Sequence, residues 1–241
     1  MVYGYKFIKG TEDEKTRRIT DLYRSNDFED GGICIMILTV AHTKGGVGKS
    51  TLAWNIANCF INDGQKVKII DLDFQQTIFF INDIRYASGL DKKEVIQCET
   101  AAELISTFET YNNDEILIVD VGGFDNDINR TAISWSDQII VPISNSLTEV
   151  LGFKTFEAIL EEIGNPFVNV VLNNIHPLTK DFDVITRAIG ESENISLLNS
   201  IIRNRKIYKE TLGVGKSIFD TKNEVAKAEI KGLCDELRSN W

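Results

Sequence analysis

The sequence predicts an α/β protein with a mostly parallel, doubly wound sheet flanked by helices. Short, continuous apolar segments alternate along the chain with amphipathic segments of helical period. This alternation is typical of parallel strands that are covered on both faces. A glycine-rich stretch at residues 44–51 joins the first apolar segment directly to the first helical one. A strand, a glycine-rich turn and a helix in that order are the context of a phosphate-binding loop.

Seven strand candidates share short runs of aliphatic residues, at residues 33–41, 66–71, 94–98, 116–120, 138–142, 167–173 and 197–202. Helical segments are predicted from residue 49 to about 62, and over residues 78–86, 100–111, 146–163, 181–190 and 223–239. Thr100 and Ser146 each begin a capping sequence with a glutamate three residues later. Gly64 follows the first helix as a stop signal.

Composition indicates a single large domain, which we place at residues 36–241. The chain has 241 residues, of which 43% are hydrophobic, so it can bury a core without disulfides or a structural metal. Four cysteines lie far apart without a CxxC pair, which indicates reduced core thiols in a cytoplasmic protein. The longest apolar run is far shorter than the roughly 20 residues that span a bilayer, so we expect a soluble protein.

Residues 1–35 differ from the rest of the chain. They are rich in both acidic and basic side chains, contain few aliphatic residues and lead into Gly31-Gly32. A short helix is plausible over residues 12–23, but no apolar face accompanies it. We predict an N-terminal extension, flexible and without assigned chemistry, before a compact domain that begins near Met36.

The glycine-rich stretch carries the chemistry of a nucleotide site. We call residues 44–51 the phosphate loop, and its predicted nucleotide contacts are Lys44, Gly45, Gly46, Val47, Gly48, Lys49, Ser50 and Thr51. Its glycines allow backbone N–H groups to point at phosphate oxygens, and the following helix adds its positive dipole end. Lys49 is expected to reach the β- and γ-phosphates, and Ser50 to bind Mg²⁺.

Aspartates end two further strands at the same predicted sheet edge. Asp71 and Asp120 follow aliphatic runs, and ligands of open parallel sheets bind beyond the carboxyl ends of the strands. We predict Asp71 and Asp120 as Mg²⁺ ligands beside Ser50. Asp73 lies just past its strand, and we expect it to orient the attacking water.

Lys44 occupies the position where a phosphate loop usually has its first glycine. The sequence from Lys44 to Thr51 resembles the deviant loop of the ParA/MinD branch of P-loop ATPases, and the resemblance extends over residues 36–241. It implies binding of ATP and Mg²⁺, and a homodimer in which Lys44 reaches the partner's phosphates. Lys44, Lys49 and Asp73 are then the catalytic residues, and Asn173 reads adenine.

The sequence departs from that family after two strands. Phe74 stands where the common motif has proline, and Gly122-Gly123 replaces the usual proline after Asp120. We expect the glycines to make this second segment flexible.

A basic cluster suggests the surface on which the protein acts. Residues 203–216 carry five positive charges and one negative, in a chain of net charge −10. The segment resembles the basic stretch of partition ParA proteins, which implies non-specific DNA contacts at Arg203, Arg205, Lys206 and Lys209. The negative total argues against a protein that coats nucleic acid constitutively. Under this resemblance, an ATP-driven dimer binds DNA, and a ParB-like activator resets it in chromosome or plasmid partition.

Two alternatives share the phosphate loop. A MinD-like positioning ATPase would bind membrane through its last helix, but residues 223–239 mix acidic and basic side chains on the polar face, whereas an anchor to anionic lipid should be basic. We expect this helix to pack on the sheet, so membrane is the less favoured surface. An iron-protein type would need paired interface cysteines, and Cys98 has no evident partner.

Overall fold

The computed structural model describes residues 36–111, 114–189 and 192–239, which form seven strands and eight α-helices. The strands are β1 (Met36–Val40), β2 (Lys66–Asp71), β3 (Val95–Gln97), β4 (Glu115–Asp120), β5 (Gln138–Ile143), β6 (Val168–Ile175) and β7 (Ile195–Arg203). The helices are α1 (Lys49–Asn62), α2 (Thr77–Ala87), α3 (Ala101–Thr110), α4 (Asp127–Trp135), α5 (Leu147–Glu162), α6 (Asp183–Ile189), α7 (Lys206–Leu212) and α8 (Glu224–Arg238). A 3₁₀ turn covers Ile218–Asp220.

All strand pairs in the sheet are parallel, in the order β3-β2-β4-β1-β5-β6-β7. The predicted fold class is therefore confirmed. The order reverses direction around β1, which lies between β4 and β5. Asp120 is in register with both Val40 and Asp71. The end of β1, where the phosphate loop begins, therefore meets the ends of β2 and β4 at one edge.

The two faces of the sheet carry separate hydrophobic clusters. One cluster packs α3, α4, α5 and α6 on the sheet, with Phe153 and Phe156 fully or almost fully buried. The other packs α1, α2, α7 and α8 on the opposite face, around Trp54 and Phe60. Helices on both faces explain why the strands are continuous apolar runs rather than alternating ones.

Two local predictions need correction. We assigned no helix to the basic cluster that follows β7 and expected a turn there, but residues 206–212 form the helix α7. We predicted no helix between β4 and β5, yet α4 is present, and the Asn126 side chain caps it by accepting a hydrogen bond from the Asn129 N–H at 2.9 Å. The remaining predicted strands and helices are found, most of them within three residues of the expected bounds.

None of the helices among the described residues is long and apolar enough to cross a membrane. The predicted extension, residues 1–35, lies outside the described residues. Cys59, Cys98 and Cys234 are buried thiols, and Cys34 falls within the extension.

Candidate nucleotide-binding site

The phosphate loop is held open by two glycines in the left-handed region. Gly46 has φ 79° and Gly48 has φ 94°, a conformation that other residues rarely adopt. Gly48 also meets a steric limit, because a Cβ atom there would lie 2.5 Å from Nδ2 of Asn173. The helix α1 begins immediately afterwards at Lys49, so its free N–H groups face the loop's concave side.

Lys49 is a buried cation inside this loop. Its side chain is almost fully buried, and its Nζ donates to the backbone oxygen of Lys44 at 3.2 Å. Burial lowers the pKa of the Lys49 ammonium, while the carboxylates of Asp120 and Asp73 oppose that shift. A cation held in this way is ready to meet phosphate oxygens without first being desolvated.

Asp120 is a fully buried carboxyl group at the end of β4. Neither of its oxygens has a hydrogen-bond partner in normal geometry among the described residues. Burial raises its pKa to about 8, and the negative charge of Asp71 adds to the rise while Ser50 and Lys49 oppose it. An unsatisfied buried carboxyl is costly, and a divalent cation beside Ser50 would favour its ionised form.

Asp71 and Asp73 have different surroundings. Asp71 is buried, and its oxygens accept hydrogen bonds from the N–H groups of Asp73 at 3.2 Å and Phe79 at 3.0 Å. Its carboxylate thus shapes the turn into α2, and its role as a metal ligand stays a prediction. Asp73 is partly exposed and accepts a bond from the Gln75 N–H at 3.0 Å.

Two clefts flank the phosphate loop. The first, of about 430 Å³, is lined by the Lys49–Thr51 side of the loop together with Asp73, Phe74 and Phe124. We call it the phosphate-side cleft. The second, of about 160 Å³, lies across Gly46 and Gly48 and is lined by Asn173, Arg203, Tyr208 and residues nearby. We call it the base-side cleft, since we expect the base of a nucleotide bound by the loop to lie on this side.

Asn173 lies at the junction of loop and base-side cleft. Its side-chain amide donates to the backbone oxygen of Val47 at 2.7 Å, across 126 residues of sequence. The geometry therefore gives Asn173 a direct part in holding the loop. Its predicted reading of adenine stays a prediction, for which Oδ1 and the second N–H of Nδ2 are the remaining groups.

Lys44 behaves unlike Lys49, although both belong to the same loop. Its backbone N–H donates to Nδ1 of His42 at 3.0 Å, and its Nζ donates to Oγ1 of Thr148 at 3.1 Å. Thr148 lies in the first turn of α5. The Lys44 ammonium thus lies outside the cleft that Lys49 occupies and is partly exposed to solvent.

The segment after Asp120 packs tightly against the loop. A Cβ atom on Gly123 would lie 3.2 Å from the backbone nitrogen of Gly45, and one on Gly122 would lie 3.2 Å from the ring of Phe124. Neither glycine has a positive φ. These glycines therefore allow close approach of two backbones, and the flexibility that we expected from them remains a prediction.

The predicted DNA contacts are divided between half-buried arginines and exposed lysines. Arg203 donates to the backbone oxygens of His176 and Thr179. Arg205 forms a two-pronged ion pair with Glu229 on α8, at 2.6–3.1 Å. Lys206 and Lys209 are exposed on α7, with Lys206 paired to Glu210 at 2.7 Å.

The last helix packs on the sheet, as we predicted. Ala226, Ile230, Leu233 and Leu237 of α8 are buried in the core cluster around α1. This apolar face is therefore unavailable to a membrane surface. Trp241, which follows it, lies outside the described residues.

Comparison with known proteins agrees with this geometry. The CobQ/CobB/MinD/ParA nucleotide binding domain model matches residues 38–218, which is most of the chain. The chain belongs to this family. The predicted resemblance to ParA/MinD-type ATPases is thereby confirmed, and the phosphate loop and both clefts lie largely within the matched residues.

The similar proteins include both plasmid partition proteins and a cell division protein. Protein ParA of Rhizobium radiobacter is 24% identical over 176 residues, which cover 70% of this chain and 73% of that protein. A putative plasmid partition protein of Borrelia burgdorferi B31, bound to AMPPNP, aligns with a TM-score of 0.66 at 16% identity, over 86% of this chain and 99% of its own. The MinD cell division protein of Aquifex aeolicus aligns with a TM-score of 0.67 at 16% identity, over 85% and 97%.

Several residues of the site escaped sequence reasoning. Thr148 contacts Lys44 across 104 residues, and no local pattern signals such a pair. Phe124 and Asn129 follow the glycines in a stretch for which we predicted no element. Of these residues, His42 could most easily have been predicted from the sequence, since it lies two residues before Lys44 in the turn that leads into the loop.

Proposed function

We propose that this protein is an ATP-hydrolysing molecular switch of DNA partition. In this proposal MgATP binding closes a homodimer, the dimer binds DNA without sequence preference, and a ParB-like partner stimulates hydrolysis and release. One observation carries the switch: the phosphate loop holds two lysines, and only Lys49 serves its own cleft. Lys44 is directed away, towards Thr148.

The residues around the phosphate-side cleft fit MgATP. The loop N–H groups and Lys49 would hold the phosphates, and Ser50 and the unsatisfied carboxyl of Asp120 fit a divalent cation. Bound Mg²⁺ would neutralise phosphate charge and orient the γ-phosphoryl group. Asp73, partly exposed at the same cleft, is the carboxylate that we assign to orienting a water molecule. Asp71 fits less well, because both its oxygens already accept backbone hydrogen bonds.

The position of Lys44 supports a site that is shared between two subunits. A cation outside its own cleft makes no direct contact with its own γ-phosphate, and a partly exposed charge at longer range contributes little to stabilising it. Facing a second copy, the same ammonium would stabilise the charge that develops during phosphoryl transfer. Hydrolysis would then depend on dimerisation, and loss of the γ-phosphate would weaken the dimer.

Two observations support DNA as the surface to which the dimer binds. They are the similarity to partition-type relatives and the exposed lysines of α7. Lys206 and Lys209 can reach a phosphate backbone, whereas Arg205 is engaged by Glu229. A dimer presents α7 twice, so pairing would raise affinity without new contacts. The membrane alternative loses its anchor because the apolar face of α8 is buried.

The experiment compares retention on DNA and on liposomes of anionic lipid, with and without MgATP. We expect ATP-dependent retention on DNA that weakens steeply with added salt. The double variant Lys206→Ala/Lys209→Ala should weaken binding equally for different DNA sequences. Lys66→Ala/Lys92→Ala removes the same charge from other exposed positions and serves as the matched control. Retention on liposomes but not on DNA would overturn the partition proposal in favour of a MinD-like role.

A further inference from the structure

A small cavity lies behind the segment that follows β4 and shares Phe124 with the phosphate-side cleft. It measures about 10 Å³, room for the centre of one water molecule. Two of the side chains that line it carry buried polar atoms without a hydrogen-bond partner among the described residues: Nε2 of His42 and Oδ1 of Asn129. The His42 side chain is 1% exposed and that of Asn129 is 4% exposed.

The hydrogen bonds of His42 determine what Nε2 can offer. Its Nδ1 accepts the backbone N–H of Lys44 at 3.0 Å, so the ring proton is on Nε2 and this atom is a donor. Burial, with help from Lys49 and Lys44, lowers the pKa of His42 to about 4, so the ring is neutral at pH 7. The ring also stacks on Phe156, with centroids 5.9 Å apart, which fixes its orientation.

The orientation of the Asn129 side chain is determined in the same way. Its Nδ2 donates to the backbone oxygen of Phe124 at 2.8 Å, and a carbonyl oxygen can only accept. Oδ1 is therefore the atom left over, and it is an acceptor. Two residues that line the cavity thus contribute one buried donor and one buried acceptor, and neither atom has a hydrogen-bond partner within the part of the chain that the structure describes.

We propose that one buried water molecule in this cavity accepts the His42 Nε2–H and donates to Asn129 Oδ1, which makes His42 a positioning residue. The water completes a hydrogen-bonded chain from the Lys44 backbone, through His42 and Asn129, to the Phe124 backbone. Burial removes the hydrogen bonds that both groups would make to solvent, and one bound water molecule restores a hydrogen bond to each.

The chain joins the two loops that matter to the proposed switch. At one end is the backbone of Lys44. At the other end is Phe124, whose ring lies 5.8 Å from that of Phe74 at the mouth of the phosphate-side cleft. A movement of either loop is therefore transmitted to the position of the other loop through four hydrogen bonds. This consequence rests on the proposed function, whereas the water site itself does not.

The water site is tested on the nucleotide-free protein by NMR. The chain has two histidines, His42 and His176, so ¹⁵N-histidine labelling gives two ring systems, and His176→Asn assigns them. We expect His42 as the Nε2–H tautomer, with an Hε2 signal that shows a cross-peak to a long-lived bound water. The Asn129→Ala variant should lose that cross-peak while the same spectrum shows it to be folded.

Three results would overturn the proposal. These are the Nδ1–H tautomer at His42, an Hε2 signal without a water cross-peak, and a cross-peak that survives in Asn129→Ala. None of them depends on ATP binding or hydrolysis, so failure of the water site is distinct from failure of the proposed function.

The positioning role of His42 is tested with a separate variant, His42→Asn. Asparagine at position 42 keeps an acceptor for the Lys44 N–H and removes the distal nitrogen. We expect His42→Asn to lower kcat for ATP with little change in KM, because the loop still binds nucleotide while its link to Phe124 is broken. An unchanged kcat would refute the positioning role, even with the water in place.

Discussion

Two lysines five residues apart in one loop have different surroundings, which is why we propose different tasks for them. Lys49 is buried beside Asp120, and Lys44 is partly exposed beside Thr148. The sequence distinguishes them only by resemblance, whereas the structure distinguishes them by burial and by the partner of each ammonium group. Neighbouring carboxyl groups differ in the same way, since Asp71 is engaged by backbone N–H groups and Asp73 keeps one oxygen free of them.

Asp73 provides the first prediction. The Asp73→Asn variant keeps an acceptor for the Gln75 N–H and loses the negative charge. We expect it to bind ATP, to lose turnover by about 10²-fold or more, and to accumulate as a dimer in excess MgATP. Single-turnover assays and light scattering measure the two effects. Turnover at the wild-type rate, or elution as a monomer with ATP bound, would show that Asp73 does not orient the water.

His42 provides a prediction about acid stability. Its pKa in the folded chain is about 4, below the ordinary 6.5. The unfolded chain therefore binds more protons between those values, so the His42 contribution is complete above pH 6.5 and is lost as pH falls towards 4. At about 1.4 kcal/mol per pH unit, the loss is about 3 kcal/mol.

Denaturation by urea between pH 7 and pH 4 measures this contribution. His42→Asn should flatten the decline relative to wild type. His176→Asn is the matched control, because His176 is exposed and its Nδ1 also accepts a backbone N–H, that of Leu178. The raised pKa of Asp120 acts in the opposite direction, but it is common to all three proteins. Equal slopes for the two variants would contradict the assignment.

Among the elements, the contact of α2 with the turn after α7 is the least tolerant of change. Gly215 has φ 71°, and a Cβ atom there would lie 2.2 Å from the backbone nitrogen of Arg85. The buried Arg85 guanidinium pairs with Asp220 and donates to the Gly215 oxygen. This contact connects the helix that follows Asp73 to the 3₁₀ turn.

Gly215→Ala should therefore lower the free energy of unfolding by about 2–5 kcal/mol, from left-handed strain together with overpacking. Gly89→Ala separates the two causes, since Gly89 has φ 76° but nothing within 4 Å of its Cβ position. The control should cost only the strain, about 1–2 kcal/mol. If urea titrations show that the two variants lose the same free energy of unfolding, the close approach of Gly215 to Arg85 does not contribute to the cost of the substitution.

Most elements could be predicted because their signals are local. The buried strands are apolar runs, and Thr100 and Ser146 cap their helices as expected, each by accepting the N–H of the residue three positions later. The helix α4 was missed because the cap at Asn126 follows two glycines and polar residues, which are typical of a loop. Contacts between distant segments, such as Lys44 with Thr148 and Asn173 with Val47, leave no local signal.

The candidate DNA surface shows the same limit. The sequence counts Arg203, Arg205, Lys206 and Lys209 as one basic cluster. In three dimensions Glu229, which belongs to a different helix, neutralises Arg205. Arg205→Ala should mainly destabilise the contact of α7 with α8, because it leaves Glu229 without its arginine partner, while the exposed Lys206 and Lys209 still set the affinity for DNA.

For the whole molecule, the formal net charge of −10 opposes non-specific DNA binding by a single copy. A nucleotide-controlled dimer offers a way to overcome this repulsion, since it doubles the number of exposed α7 lysines on one particle. Association is therefore the step on which both hydrolysis and DNA binding depend in the proposed function.

The decisive measurement is sedimentation velocity of the wild-type chain and of Lys44→Ala, each saturated with the non-hydrolysable analogue AMPPNP and Mg²⁺. Lys49→Ala, which should not bind nucleotide, serves as the control. We predict that wild type becomes a dimer only with nucleotide, and that Lys44→Ala binds nucleotide yet stays a monomer. Wild type that remains a monomer when saturated, or Lys44→Ala that dimerises as wild type does, would contradict the assignment of Lys44 to a site shared between two subunits.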